Sequence, residues 1–377
     1  MAVTAAVFAV VVLVATPYVT TVAFLLDFAG VDGLARSIIP VRPRVVATRD
    51  IEVPTRHGAM TVRVYEPAGA PSPTVVVFPG VHGGGVEAPR LVQFCGRMSA
   101  SGLTVVCAPL PDLRAFRLTG RSTDMIADTT AWIAGRADLA HEGRVTLVGV
   151  SFAGGLALVA AGRPVLADRL HAVVSIGGHG NLTRTLRYLS TGILPDGSTR
   201  QPHDYALAVV MLTMAERLVP PDQVQGFERG VRTFLEASLD DSADFATARR
   251  LMAELDVLMA SLPEPSRELV EAAAARDVVR MGQAIAPFVE EFGNDPGMSL
   301  ALAPPPDVPV FLLHGADDNV IPSTEAALTA ADLVDRGATV RWLLTPLLSH
   351  ARLLDGAGSM DMLRLVSFWA DVRAHVH

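Results

Sequence analysis

Residues 144–150, Arg-Val-Thr-Leu-Val-Gly-Val, read as a buried strand that runs straight into Ser151, and a helix containing Gly154 and Gly155 follows. A serine on such a sharp strand-to-helix turn stands clear of the sheet, where its hydroxyl can act as a nucleophile. The turn needs small residues two before and two after the serine, because a larger substituent would collide with the adjacent strand or helix. Gly149 meets this need on one side. On the other, Ala153 stands where a glycine is usual. The plainer reading of the string is an ordinary strand-to-helix turn with a capping serine.

A serine alone is a poor nucleophile and needs a base, and the base needs an orienting group. Asp318 lies in His314-Gly315-Ala316-Asp317-Asp318-Asn319-Val320-Ile321-Pro322, just past the strand-like run Val308–Leu313. An acid there occupies the ligand-facing edge of a parallel sheet. Asp317 is its neighbouring competitor, and either could instead cap the helix that starts near Ser323. His350 follows the next strand-like run, in Leu347-Leu348-Ser349-His350. A lone histidine is more often a surface or satisfied core residue. Of the histidines after the acid, His375 and His377 belong to the tail. The chain order is therefore Ser, Asp, His, each at the end of a different predicted strand.

On these three residues the chain resembles the α/β-hydrolase family, over roughly residues 45–180 and 305–375. The resemblance implies a Ser151 nucleophile, an Asp318 acid and a His350 base. It also implies two backbone donors for the oxyanion that forms during acyl transfer. One is the N–H of Phe152, the residue after the nucleophile. The other comes from the loop after Thr74–Gly80, where the chain reads Pro79-Gly80-Val81-His82-Gly83-Gly84-Gly85. One register gives Val81; a shifted one gives Gly83 or Gly84. A flexible glycine-rich loop without contacts is the bland alternative. A phosphate loop does not fit, since no Lys follows the glycines. The expected activity is a serine hydrolase cleaving a carboxylic ester or thioester through an acyl-enzyme. A serine in this place argues against dehalogenase or epoxide-hydrolase chemistry. Peptidase, acyltransferase and cofactor-free haloperoxidase activities stay open, as does a non-catalytic binding module on the same scaffold.

The elements that must position these groups can be read from periodicity. A hairpin is expected over Arg49–Thr55 and Met60–Pro67, turning at His57-Gly58. Strands follow at 74–80, 103–110, 144–151, 170–178, 308–315 and 339–347, alternating with helices. That alternation predicts an α/β fold with a doubly wound, mostly parallel sheet. Between Asn181 and Pro306 the alternation stops and four helical stretches appear, punctuated by Pro220-Pro221, Pro263 and Pro265. The expected organisation is a core at 49–180 and 307–377 interrupted by a helical cap insertion at 181–306. Met211, Met214, Met252 and Met259 in that insertion would suit an acyl chain or merely pack the cap onto the core.

Composition narrows the alternatives. Half of the 377 residues are hydrophobic and 19% are charged, which excludes a disordered chain. All 31 basic residues are Arg, the net charge is −8, and no basic run occurs, so nucleic acid is not an expected partner. Cys95 and Cys107 are the only cysteines and read as small core residues. No metal-ligand motif or cofactor fingerprint is present, and a small-molecule ester or thioester is the expected partner. From Met1 to Leu26 there is no charged side chain, a length sufficient for a bilayer, which needs roughly 20 apolar residues. With Arg36, Arg42 and Arg44 following and nothing basic before, residues 1–29 read as a hydrophobic transmembrane helix, with 30–48 as a linker. The corresponding expectation is membrane association through residues 2–26, at a bacterial inner membrane with the main domain cytoplasmic. The alternative is a buried helix packed on the globular domain.

Overall fold

The computed structural model describes residues 18–25, 43–69, 71–239, 245–349, 352–353 and 359–376. Strands are numbered in chain order, as are helices of two turns or more. The centre is one eight-stranded sheet: β1 (Val46–Thr55), β2 (Gly58–Pro67), β3 (Thr74–Phe78), β4 (Thr104–Cys107), β5 (Val145–Val150), β6 (Leu170–Ile176), β7 (Val310–Gly315) and β8 (Val340–Thr345). Their spatial order is β1-β2-β4-β3-β5-β6-β7-β8. β1 and β2 form the expected hairpin and β2 joins β4 antiparallel; every later pairing is parallel. The doubly wound, mostly parallel sheet expected from the sequence is therefore present.

The central strands are buried on both faces, as a parallel sheet covered by helices requires. Val76, Phe78, Val106, Leu147 and Val173 point to one face; Val75, Val77, Val105, Val148 and Val174 point to the other. The first face is covered by α3 (Gly120–Ala134), α4 (Phe152–Ala161) and the helices that follow β6. The second is covered by α1 (residues 18–25), α2 (Pro89–Ala100) and α12 (Ser359–Ala374). Cys95 on α2 and Cys107 on β4 are free and buried in the second core, as expected.

Between β6 and β7 the chain is helical, as expected, but more finely divided. α5 (Leu182–Thr191) precedes the four expected stretches; Asn181 caps its first turn and Gly192 ends it in the left-handed conformation. α6 (Asp204–Thr213), α7 (Val224–Ala237) and α8 (Phe245–Ser261) follow. The last stretch breaks into α9 (Ser266–Ala274) and α10 (Val278–Ile285), because Arg276 takes φ 54° and the Asp277 side chain caps the next helix. Pro287 then lies in a short 3-10 turn, Ala286–Phe288, and one more helical turn, Val289–Gly293, follows. After β7 comes α11 (Thr324–Asp335).

The transmembrane reading is not supported. Among the described residues no helix is long and apolar enough to cross a membrane. α1, the described part of the apolar stretch, buries Ala23, Phe24 and Leu25 in the domain. Phe24 meets Phe94 of α2 and Trp369 of α12 edge-on, with ring centroids 6.5 and 5.9 Å away. A face already packed on protein cannot also face lipid. Arg44, read as part of a basic membrane flank, instead donates to Ser72 and to the carbonyl of Ala100. Residues 1–17 and 26–42, including Arg36 and Arg42, lie outside the described residues.

Candidate active site

Ser151 sits between the end of β5 and the start of α4 with φ 56° and ψ −132°. A non-glycine residue at positive φ is strained and persists only where its surroundings enforce it. Here the enforcement is visible. The Ser151 N–H donates to the Ile176 carbonyl at the end of β6, 2.7 Å away. The Ser151 carbonyl accepts from Gly154 N at 2.8 Å, which starts α4 at once. Gly149 makes room: a Cβ there would lie 2.3 Å from the Ala153 carbonyl oxygen. The small-residue requirement read from the sequence is thus a backbone contact across the turn, and Ala153 satisfies it because its own side chain is not at that contact.

The loop after β3 presses on the serine from the other side. A Cβ on Gly80 would sit 2.7 Å from the Ser151 Cβ, so only glycine fits. Val81 follows and lines the space around Ser151 on both sides. Its carbonyl accepts from the Tyr205 hydroxyl at 3.1 Å, so α6 holds this stretch in place. Gly83 and Gly84 point elsewhere. They line a separate cavity with Arg114 and Phe116, and Arg114 donates to the Gly83 carbonyl. Phe152 is the first residue of α4, where backbone N–H groups have no acceptor within the helix. Its ring stacks on His179 at 4.6 Å.

His179 was not singled out by sequence reasoning. It is buried, and its Nε2–H donates to the Met298 carbonyl at 2.8 Å. Among the described residues its buried Nδ1 has no hydrogen-bond partner. Burial pulls its pKa below the ordinary imidazole value, against the opposing pull of the Met298 carbonyl and Glu325. The ring is therefore a neutral spacer behind the nucleophile turn. Its signal in the sequence was the string Gly177-Gly178-His179-Gly180 directly after β6, in which a histidine stands among glycines at the site edge of the sheet.

Of the two candidate acids, Asp318 is buried and Asp317 is 82% exposed at its side chain. Asp318 Oδ1 accepts from the N–H groups of Val320 at 2.9 Å and Ile321 at 3.1 Å, bonds within the loop and not a cap on the helix that follows. Its Oδ2 lies 3.4 Å from His314 Nε2, which itself donates to the Ile321 carbonyl at 2.9 Å. A Cβ on Gly177 would be 3.6 Å from the same Oδ2. Gly177 follows β6, the strand beside β5, so Asp318 and Ser151 occupy neighbouring positions on one edge of the sheet. Arg200, from the helical insertion, donates to the Ala316 and Asp318 carbonyls and fixes the loop from outside. After β8 the chain turns at Pro346-Leu347 into a two-residue strand, Leu348–Ser349. His350 comes next and lies outside the described residues.

Two cavities meet at Ser151. One, about 450 Å³, opens toward the second core and includes Phe24, Leu91, Phe94, Leu365 and Trp369 in its wall. The other, about 60 Å³, lies under the helical insertion against Leu186 and Leu189 of α5 and Val209 and Val210 of α6. Among the described residues no group of His, Cys, Asp or Glu could hold a metal ion.

No family model matches the chain. No curated protein matches it either. Solved structures similar to it include a hyperthermophilic esterase from the archaeon Pyrobaculum calidifontis, at 16% identity and TM-score 0.47 over 94% of this chain and 91% of that one. A thermostable carboxylesterase cloned from a metagenomic library is similar at 17% identity and TM-score 0.47, over 95% of each chain. A carboxyl esterase from the mycorrhizal fungus Tuber melanosporum is similar at 12% identity and TM-score 0.49, over 88% of this chain and 87% of that one. The strand order, the antiparallel second strand and the strained serine turn, taken from the chain itself, give it the architecture that its sequence resemblance to the α/β-hydrolases implied.

Proposed function

We propose that this chain is a serine hydrolase that cleaves a carboxylic ester or thioester through an acyl-enzyme. Ser151 Oγ attacks the carbonyl carbon. His350 takes the hydroxyl proton and returns it to the leaving group. Asp318 holds the imidazole in the working tautomer and stabilises its charged form. The backbone N–H groups of Phe152 and Val81 receive the oxyanion, and the start of α4 adds the positive end of its dipole. Helices α5 and α6 act as a cap that keeps water from one side of the serine.

The observation that carries this reading is Ser151 at φ 56°, wedged by Gly80 and opening onto two cavities. Strain of this kind is retained at functional sites more than elsewhere. A fluorophosphonate probe tests it, since it labels only an activated serine. Wild type should be labelled and should hydrolyse a short-chain ester. Ser151→Ala should lose both, with turnover falling by about 10⁶-fold. His350→Gln should abolish labelling through loss of the base. Undiminished turnover in Ser151→Ala would sink the reading, and a folded wild type that takes no label would leave a binding module.

A further inference from the structure

The larger cavity at Ser151 is not walled by the helical insertion. Part of its wall is α1, which contributes Phe24 and Leu25, both about 5% exposed. α2 contributes Leu91 and Phe94, and α12 contributes Leu365 and Trp369. Val150, Ile176 and Leu313, at the ends of β5, β6 and β7, form its floor beside the serine. The volume, about 450 Å³, is that of a small-ligand pocket, which runs from roughly 300 to 1,000 Å³. On the opposite side of Ser151 only about 60 Å³ is open, room for a group of a few atoms.

A carbonyl carbon held at Ser151 has two arms, and the two cavities are unequal. We infer that the substrate is an ester or thioester with one long, flexible apolar arm and one small arm, and that α1 sets the length of the long arm through Leu25 and Phe24. This rests on the serine-hydrolase reading above and adds a substrate shape and two specificity-determining residues to it. Helix α1 thereby has a role at the site. It covers the second face of the sheet where the long arm lies, as the insertion covers the first.

The test uses the full chain and two ester series. Methyl esters of fatty acids place the long arm on the acyl side; alkyl acetates place it on the alcohol side. In wild type one series should rise in kcat/KM with chain length to an optimum while the other stays poor. Leu25→Trp, which fills the cavity, should lower kcat/KM for the preferred length by at least tenfold and leave the shortest member within about threefold. A single methylene in an apolar pocket is already worth about 10- to 200-fold. Leu25→Ala, which opens the wall, should move the optimum to longer chains, and it keeps the test informative if the tryptophan variant does not fold. Labelling by a small fluorophosphonate separates the two levels of the argument. Absence of labelling in wild type defeats the hydrolase reading itself. Normal labelling with unchanged chain-length profiles in both Leu25 variants overturns the assignment of α1.

Discussion

The serine turn and helix α1 are both apolar, buried and close together, yet they were legible to different degrees. At the turn, Gly149, Ser151 and Ala153 meet each other within five residues, and the contact that matters is a backbone contact 2.3 Å from a would-be Cβ. Local stereochemistry leaves few alternatives there. At α1 the sequence says only that the segment should leave water. Hydrophobicity is not directional and does not say whether lipid or protein will receive the segment. Its partners, Phe94 and Trp369, lie about 70 and 345 residues further along the chain, beyond the reach of any periodicity argument.

The strongest way to break this contrast is at the acid, where a sequence offset chose between neighbours. Asp318→Asn should lower kcat by about 10⁴-fold, the cost of a wrong imidazole tautomer in the chymotrypsin-type triad. Asp317→Asn should stay within about tenfold, because its side chain is largely in solvent and its ion pair with Arg200 is a long one, at 3.8 Å. Steady-state kinetics on one soluble ester decides the ranking. The reverse ranking would mean that the loop is capped by one acid and the base oriented by the other. Asp318 also bonds two backbone N–H groups, so a fold control by circular dichroism accompanies the measurement.

A second test bears on α1. If Phe24 is a core residue, Phe24→Ala should destabilise the protein by about 3–5 kcal/mol, as for other buried phenylalanines truncated to alanine. A chemical denaturation midpoint reports this directly. A segment that served only as a tether would leave the midpoint of the domain unchanged. The effect should be larger than for Tyr18→Ala, since Tyr18 is 42% exposed on the same helix.

These two regions also mark how far the sequence could be read. The eight strands were legible because central parallel strands are continuous apolar runs and the β1–β2 hairpin alternates. Ser151 directly follows β5 and Asp318 lies three residues past β7, so their placement at one edge of the sheet could be read from the strand ends. Burial of Asp318 against exposure of Asp317 was not, since it depends on Arg200 of the distant insertion fixing the loop, and on how the loop folds back onto its neighbour His314. The choice between Val81 and the glycines at 83–84 was likewise open in sequence. The fold sets Gly83 against Phe116 and Arg114 and Gly84 against His82 and Ala88, and leaves Val81 beside the serine. α5 was not among the expected stretches although Asn181 and Gly192 bracket it, because its apolar residues, Leu182, Leu186, Tyr188 and Leu189, are few and alternate with Thr and Arg over only ten residues.

The smallest expected effect concerns His179, the residue behind the turn that local pattern did not pick out. Its Nε2–H is spent on the Met298 carbonyl and among the described residues its buried Nδ1 has no partner, so a second proton would find no acceptor there. Burial holds the folded-state pKa below the ordinary value, with Arg184 pushing the same way and Glu325 opposing. In the unfolded chain the same imidazole titrates near 6.5. Between the folded value and about 6.5 the unfolded state therefore binds more protons than the folded one, and stability must rise with pH across that window. Read downward, the contribution is complete above about pH 6.5 and is lost as pH falls toward the folded value. Thermal unfolding of wild type should show a falling Tm from about pH 6.5 to 5. His179→Gln keeps a donor for Met298 but cannot titrate, so its Tm should start lower and fall less steeply over the same range. An identical slope in the variant would assign the pH dependence to other groups and leave His179 as a packing residue only. A flatter slope would show that the stacking of Phe152 on a neutral ring, and with it the back of the nucleophile turn, depends on keeping that proton off.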